Sequence, residues 1–121
     1  MKKTIGLLLV CVLLLSGCGN RDSGQQPQGM NSKVYQWGTE ALQIADNYLD
    51  GRTPIDDAMD KLDEVYENLF DGNFDSDVDR AVVTAVSRVN NELYAVSIDN
   101  DPDDLLLERN RLANALGKEA R

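Results

Sequence analysis

The chain has 121 residues, and 21 Asp and Glu against 12 Lys and Arg give a formal net charge of −9. This is the length of one domain, and its acidity argues against nucleic acid as a partner. Histidine is absent and there are only two cysteines, which excludes acid–base catalysis by histidine and zinc sites of the usual Cys and His kind.

The N-terminus carries a short apolar run behind two lysines. Only twelve residues lie between Lys3 and Ser16, whereas a membrane-spanning helix needs about 20. A run of this length that ends in small residues is typical of a secretory signal peptide. Cys11 lies inside the run and would leave with it, so Cys18 would have no disulfide partner within the chain.

The tetrapeptide Leu15-Ser16-Gly17-Cys18 resembles the lipobox of bacterial lipoproteins. The resemblance implies that residues 1–17 are cut off as a signal peptide and that Cys18 becomes a lipidated first residue. The protein would then be anchored by lipid on the extracytoplasmic side of a bacterial membrane. Its net charge would become −11, because Lys2 and Lys3 leave with the signal. Ordinary signal cleavage is the alternative.

Residues 18–31 are expected to form a flexible, disordered tether. The segment Gly19 to Asn31 contains no Val, Leu, Ile or aromatic residue, so it can bury too little apolar surface to offset the entropy of ordering. The sequence therefore predicts a domain that spans residues 32–121 behind this tether.

Four amphipathic segments follow the tether. In the first, apolar residues recur every three or four positions over residues 34–48, with Trp37 among them, and Asp50-Gly51 ends the helix. Thr53-Pro54 starts the second helix, with Thr53 as the N-cap and Pro54 at the first helical position, and its apolar face covers residues 55–69.

The third segment begins at Ser76, with Asp79 in the capping-box position, and its apolar stripe continues to about Ser97. A hairpin that turns at Asn90-Asn91 is the alternative for residues 81–98, since valines are poor helix formers. The acids of residues 101–104 open a fourth helix that Gly117 ends. Five of its residues are predicted to face inward: Leu105, Leu106, Leu112, Ala113 and Leu116.

The connections between these segments are short, which favours antiparallel neighbours. The sequence therefore predicts an all-α protein, a small up-and-down antiparallel bundle of three to four helices, and a monomer. We expect neither enzymatic activity nor a cofactor, because the chain offers no nucleophile–base pair and no glycine-rich phosphate loop.

The stretch "DGNFDSDVD", residues 71–79, resembles an EF-hand loop in the alternation of its oxygen ligands. The candidate ligands are Asp71, Asn73, Asp75, Asp77 and Asp79. Ser76 replaces the glycine of the sixth position and Val82 replaces the glutamate of the twelfth. The interpretation we prefer is that these acids end one helix and cap the next.

Two further patterns bear on partners. Tyr35, Leu42 and Leu49 form a second apolar stripe on the first helix, which either widens the buried face or, if exposed, forms the best partner surface. Twelve acids against two bases lie between Asp46 and Asp79. They form a solvated face or attract a basic partner.

The predicted function is therefore protein binding by a non-catalytic, lipid-anchored helical domain. Lipoproteins of similar build exclude a second phage or plasmid, or assist envelope and secretion machinery. A lipoprotein that binds a ligand or a divalent cation through the acidic loops is the alternative.

Overall fold

Four α-helices make up the part of the chain that the computed structural model describes, residues 26–121. They are α1 (Ser32–Leu49), α2 (Ile55–Phe70), α3 (Asp77–Asp99) and α4 (Asp103–Ala115). No strand occurs in these residues, so the all-helical fold is confirmed. The hairpin alternative for residues 81–98 is excluded because α3 runs through it without a break. The predicted signal peptide, Cys18 and the first part of the predicted tether, residues 18–25, lie outside the described residues.

The helices form a small up-and-down bundle in which each helix packs against the next one along the chain. In addition, α1 contacts both α3 and α4, whereas α2 and α4 do not touch. The four helices thus close into a ring, with α1 and α3 in contact across it. The ends of α1 and α3 and the beginnings of α2 and α4 consequently lie at one end of the bundle.

The core is aliphatic and continuous through the bundle. Its largest fully buried side chains are Leu62, Leu69, Leu93, Leu105, Leu112, Leu116, Val34, Val65, Val82, Val86, Val89 and Val96. Gly38 allows α1 to approach its neighbours closely: a Cβ there would lie 2.7 Å from Cγ1 of Val82 and 2.9 Å from Cδ2 of Leu116. A larger residue at this position would force the side chains of Val82 and Leu116, or the helices that carry them, to shift.

The predicted helix ends are correct at three places. Asp50 and Gly51 follow the end of α1, the Ser76 hydroxyl accepts a hydrogen bond from the Asp79 N–H at the start of α3, and Gly117 follows α4 with φ +76°. The Thr53 prediction is wrong. Pro54 is the N-cap of α2, one position later than predicted, and no side chain caps this helix. The Thr53 N–H donates to the Asn47 carbonyl, which places Thr53 in the turn that follows α1.

One predicted core residue of α4 faces outward. Leu105, Leu112, Ala113 and Leu116 are buried as predicted, but Leu106 is 36% exposed. Leu106 and the next residue, Leu107, which is 48% exposed, lie on the solvent side of α4, because successive helical residues point about 100° apart and the side that Leu105 presents to the core is narrow.

The folded domain begins earlier than residue 32. The Met30 N–H bonds to the Pro27 carbonyl, and the Met30 side chain belongs to the core with 5% of its surface exposed. The Asn31 N–H donates to the Asp79 carboxylate at 2.8 Å. Residues 26–31 are therefore part of the domain and not of the tether. The prediction failed because one methionine in a polar stretch carries no periodic signal.

Candidate functional site

Three of the five candidate ligands in the EF-hand-like loop take part in contacts that stabilise the fold. Asp77 forms an ion pair with Arg80, and the Asp75 carbonyl accepts a second hydrogen bond from the same arginine. Asp79 is buried and is bonded to the Asn31 N–H, while Asp71 and Asn73 are exposed. Within residues 26–121, no group of three or more Asp, Glu, His or Cys is arranged to hold a metal ion.

The second stripe on α1 widens the buried face. Leu42 is only 6% exposed, and Tyr35 and Leu49 are partly buried against the core. The Lys118 ammonium lies 5.4 Å from the centre of the Tyr35 ring. The stripe is therefore not an exposed partner surface. Trp37 is likewise partly buried against the core.

Acidic residues are concentrated at the end of the bundle where α1 and α3 end. They are Asp46, Asp50, Asp56, Asp57, Asp99, Asp101, Asp103 and Asp104. Several of them stabilise local structure, since Asp99 and Asp101 accept hydrogen bonds from the backbone N–H groups of Asp101 and Asp103. We call this region the acidic end of the bundle.

Partial burial and nearby negative charges together perturb Glu92, a carboxyl of α3 close to the acidic end. The pKa of Glu92 is raised above its ordinary value, first by burial and then by the negative charges of Asp104, Glu108 and Asp99. Tyr94, also in α3, faces α2, and its hydroxyl donates to the Asp63 carboxylate at 2.6 Å. This hydrogen bond raises the pKa of Tyr94.

The acidic end is balanced in part by two arginines from α4 and the segment after it. Arg109, with 8% of its side chain exposed, donates to both carboxylate oxygens of Asp46, from Nε at 2.7 Å and from Nη2 at 3.0 Å. Gly117 turns the chain back along α4, so that Arg121 also reaches Asp46, at 2.8 Å. Burial would raise the pKa of Asp46, but the bonds from the two arginines together lower it.

Positive charge is concentrated in a groove of about 460 Å³ between α3 and α4. Its lining residues are Arg80, Ala81, Thr84, Ala85 and Arg88 from α3, and Arg111, Asn114 and Ala115 from α4. We call it the arginine groove. Arg80 and Arg111 pair with Asp77 and Glu108, three residues away on their own helices. Arg88 is exposed and forms no ion pair within residues 26–121.

A second groove of about 530 Å³ lies between α1 and α2 and is lined mainly by polar side chains. Amides and hydroxyls such as Gln43, Asn47 and Thr39 alternate there with Glu40, Lys61 and Glu64. It brings acid and base together, so it has no dominant charge. Of these two grooves, the arginine groove has the clearer chemical preference, which is for anionic groups.

Sequence reasoning missed the arginine groove. Arg80 and Arg88 are eight residues apart, which places them on nearly the same face of a helix, and this spacing is visible in the sequence. The third arginine, Arg111, joins them only because α4 packs antiparallel to α3. The clustering of the three arginines therefore depends on the pairing of α3 with α4 and cannot be recognised from spacing along the sequence.

No family model matches the chain, and neither a curated protein nor a solved structure shows significant similarity to it. Within residues 26–121, the helices are too short or too polar to cross a membrane.

Proposed function

We propose that this chain is a bacterial lipoprotein that is acylated at Cys18 and holds a helical, non-catalytic domain outside the cytoplasmic membrane, where the domain binds another protein. The resemblance of residues 15–18 to a lipobox supports the location. The observation that carries the binding role is the arginine groove, a concave surface with an exposed arginine that no residue of the described chain neutralises.

The position of the N-terminal segment fits such an anchor. A Cβ on Gly117 would lie 3.4 Å from the Pro27 ring, so the chain joins the bundle where α4 ends, opposite the acidic end. Seven residues, 19–25, lie between Cys18 and Gln26, so the two are eight residue steps apart. Fully extended, this segment would reach about 28 Å. Anionic lipids would repel the acidic end and turn it away from the membrane.

The proposal that the protein is not an enzyme rests on its side chains. With no histidine in the chain and Cys18 consumed by acylation, neither residue provides a nucleophile or a base. The carboxylates of the acidic end are used in helix starts and ion pairs. Recognition of a protein partner requires none of these groups, and a tethered domain raises its effective concentration near partners in the same membrane.

The test combines lipid labelling with capture of the partner. Cells that express the wild type or Cys18→Ala are grown with a labelled fatty acid, fractionated, and treated with a crosslinker before purification of the chain. We expect label, membrane association and a defined crosslinked partner for the wild type. Cys18→Ala should take up no label. If the wild type takes up no label, the anchor is wrong, and if no partner is captured from intact cells, the binding role is wrong.

A further inference from the structure

We infer that the arginine groove binds an acidic helical segment of the partner protein. The inference rests on the proposed function and assigns the chemistry of the partner. It also differs from the basic partner that was the alternative to a solvated face for the acids between residues 46 and 79. The lining of the groove contains three arginines and no acid.

The shape of the groove suits a helix. Ala81 and Ala85 of α3 and Ala115 of α4 form part of its lining, and such small side chains allow the backbone of a third helix to approach closely. Arg80, Thr84 and Arg88 follow one another at intervals of four residues along α3. Two helical turns separate the two arginines, a rise of about 12 Å. Carboxylates seven or eight residues apart on a partner helix would have the same separation.

The charge of the groove suits carboxylates. Arginine presents a planar fork of N–H donors that can bind both oxygens of one carboxylate. Arg88 has no competing acid within the described residues. The side chains of Arg80 and Arg111 are 58% and 56% exposed despite their ion pairs. The Arg80–Asp77 pair is exposed on both sides and is therefore weak, so an incoming carboxylate can replace Asp77. Glu108 is only 11% exposed, so Arg111 keeps this partner and offers its remaining N–H donors to the incoming carboxylate.

An anionic membrane surface fits the groove less well than a peptide does. Asp75 and Asp77 are exposed beside Arg80, and the whole mature chain would carry a charge of −11. A flat, uniformly negative surface would meet these acids together with the arginines. A single helix that lies along the groove would meet chiefly the arginines.

The experiment measures binding of designed peptides to the full chain purified in detergent, so that it does not depend on acylation. The probe is a fluorescein-labelled helical peptide with glutamates seven residues apart on one face, and its control has glutamines at those positions. Fluorescence anisotropy gives the affinity for the wild type, for the double variant Arg80→Glu/Arg88→Glu, and for Arg52→Glu. Arg52 is a matched control because it is an exposed arginine in the turn between α1 and α2, outside the groove.

We expect the glutamate peptide to bind the wild type and Arg52→Glu equally. The double reversal should weaken this binding on the order of tenfold, since each reversal turns an attraction at the rim into a repulsion. Arg88→Lys, which keeps the charge without the planar fork, should have an intermediate effect. Added salt should weaken binding to the wild type. Circular dichroism would verify that the variants, all at exposed positions, keep the helical fold.

The inference is overturned if the wild type does not bind the glutamate peptide, if the glutamine peptide binds as well, or if the double reversal leaves the affinity unchanged. It is also overturned if phosphatidylglycerol vesicles displace the peptide from the wild type, because the groove would then be a lipid site. Its failure is distinguishable from failure of the proposed function: a partner that is crosslinked equally by wild type and double variant refutes the acidic helix and leaves the binding role intact.

Discussion

The ion pair between Asp46 and Arg109 gives the sharpest prediction about stability. It joins α1 to α4 through two hydrogen bonds and lies at the edge of the core, with 8% of the arginine side chain and 26% of the aspartate side chain exposed. Asp46→Ala would leave the arginine charge largely buried without its carboxylate. Two weaker contacts would remain, from Nη1 to the Asn110 side chain and to the Glu119 carbonyl.

The magnitude follows from this geometry. Removal of one partner of a fully buried ion pair costs about 3–5 kcal/mol. Because Asp46 is partly exposed and Arg109 keeps two acceptors, we expect Asp46→Ala to lower the free energy of unfolding by about 2–3 kcal/mol. Arg121→Ala, which removes only the exposed member of the network, should cost at most about 1 kcal/mol. Glu40→Ala, an exposed acid on the same helix, is the matched control and should change stability by less than about 0.5 kcal/mol.

Urea unfolding followed by circular dichroism measures these differences, and its pH dependence tests their cause. The pKa of Asp46 is lowered in the folded protein from its ordinary value of 3.8. Its contribution is therefore fully present above pH 3.8 and is lost as the pH falls through the lowered value. The gap between wild type and Asp46→Ala should close in strong acid. A loss no larger than that of Glu40→Ala at neutral pH would refute this reasoning.

Three further predictions concern the domain and its loops. Residues 26–121 expressed alone should fold as a helical monomer, and a circular dichroism spectrum dominated by strand or a dimer in gel filtration would contradict this. Millimolar calcium should raise the melting temperature slightly and no more than magnesium does, since it only screens acidic charge. A one-to-one calcium binding isotherm in calorimetry, abolished by Asp71→Ala, would instead demonstrate a specific calcium site in the loop of residues 71–79. Asp79→Ala should lower stability by about 1 kcal/mol and speed hydrogen exchange at the Asn31 amide, whereas unchanged exchange there would mean that residues 26–31 are held by other contacts.

The four helices could be predicted because their determinants are local. The three–four spacing of apolar residues in α3 continues through Asn90-Asn91, where a hairpin would have to turn, and the Ser76 hydroxyl needs only the N–H of a residue three positions away to cap the helix. Gly117 ends α4 for an equally local reason, since glycine adopts a positive φ at little cost. Interactions between residues within about one helical turn thus determine the four helices and most of the positions at which they begin and end.

The tertiary structure decided which faces meet and what the remaining charges do. The Asp79 carboxylate, predicted to serve its own helix, accepts instead from Asn31, 48 residues away in the chain, and so joins residues 26–31 to the domain. Arg111 joins the arginines of α3 only through antiparallel packing, and Asp46 meets Arg109 only where α1 lies against α4. A sequence pattern shows only the spacing of residues along one helix. These contacts depend instead on how two helices are paired and rotated against each other, and that arrangement is determined by the packing of all the buried side chains of the bundle.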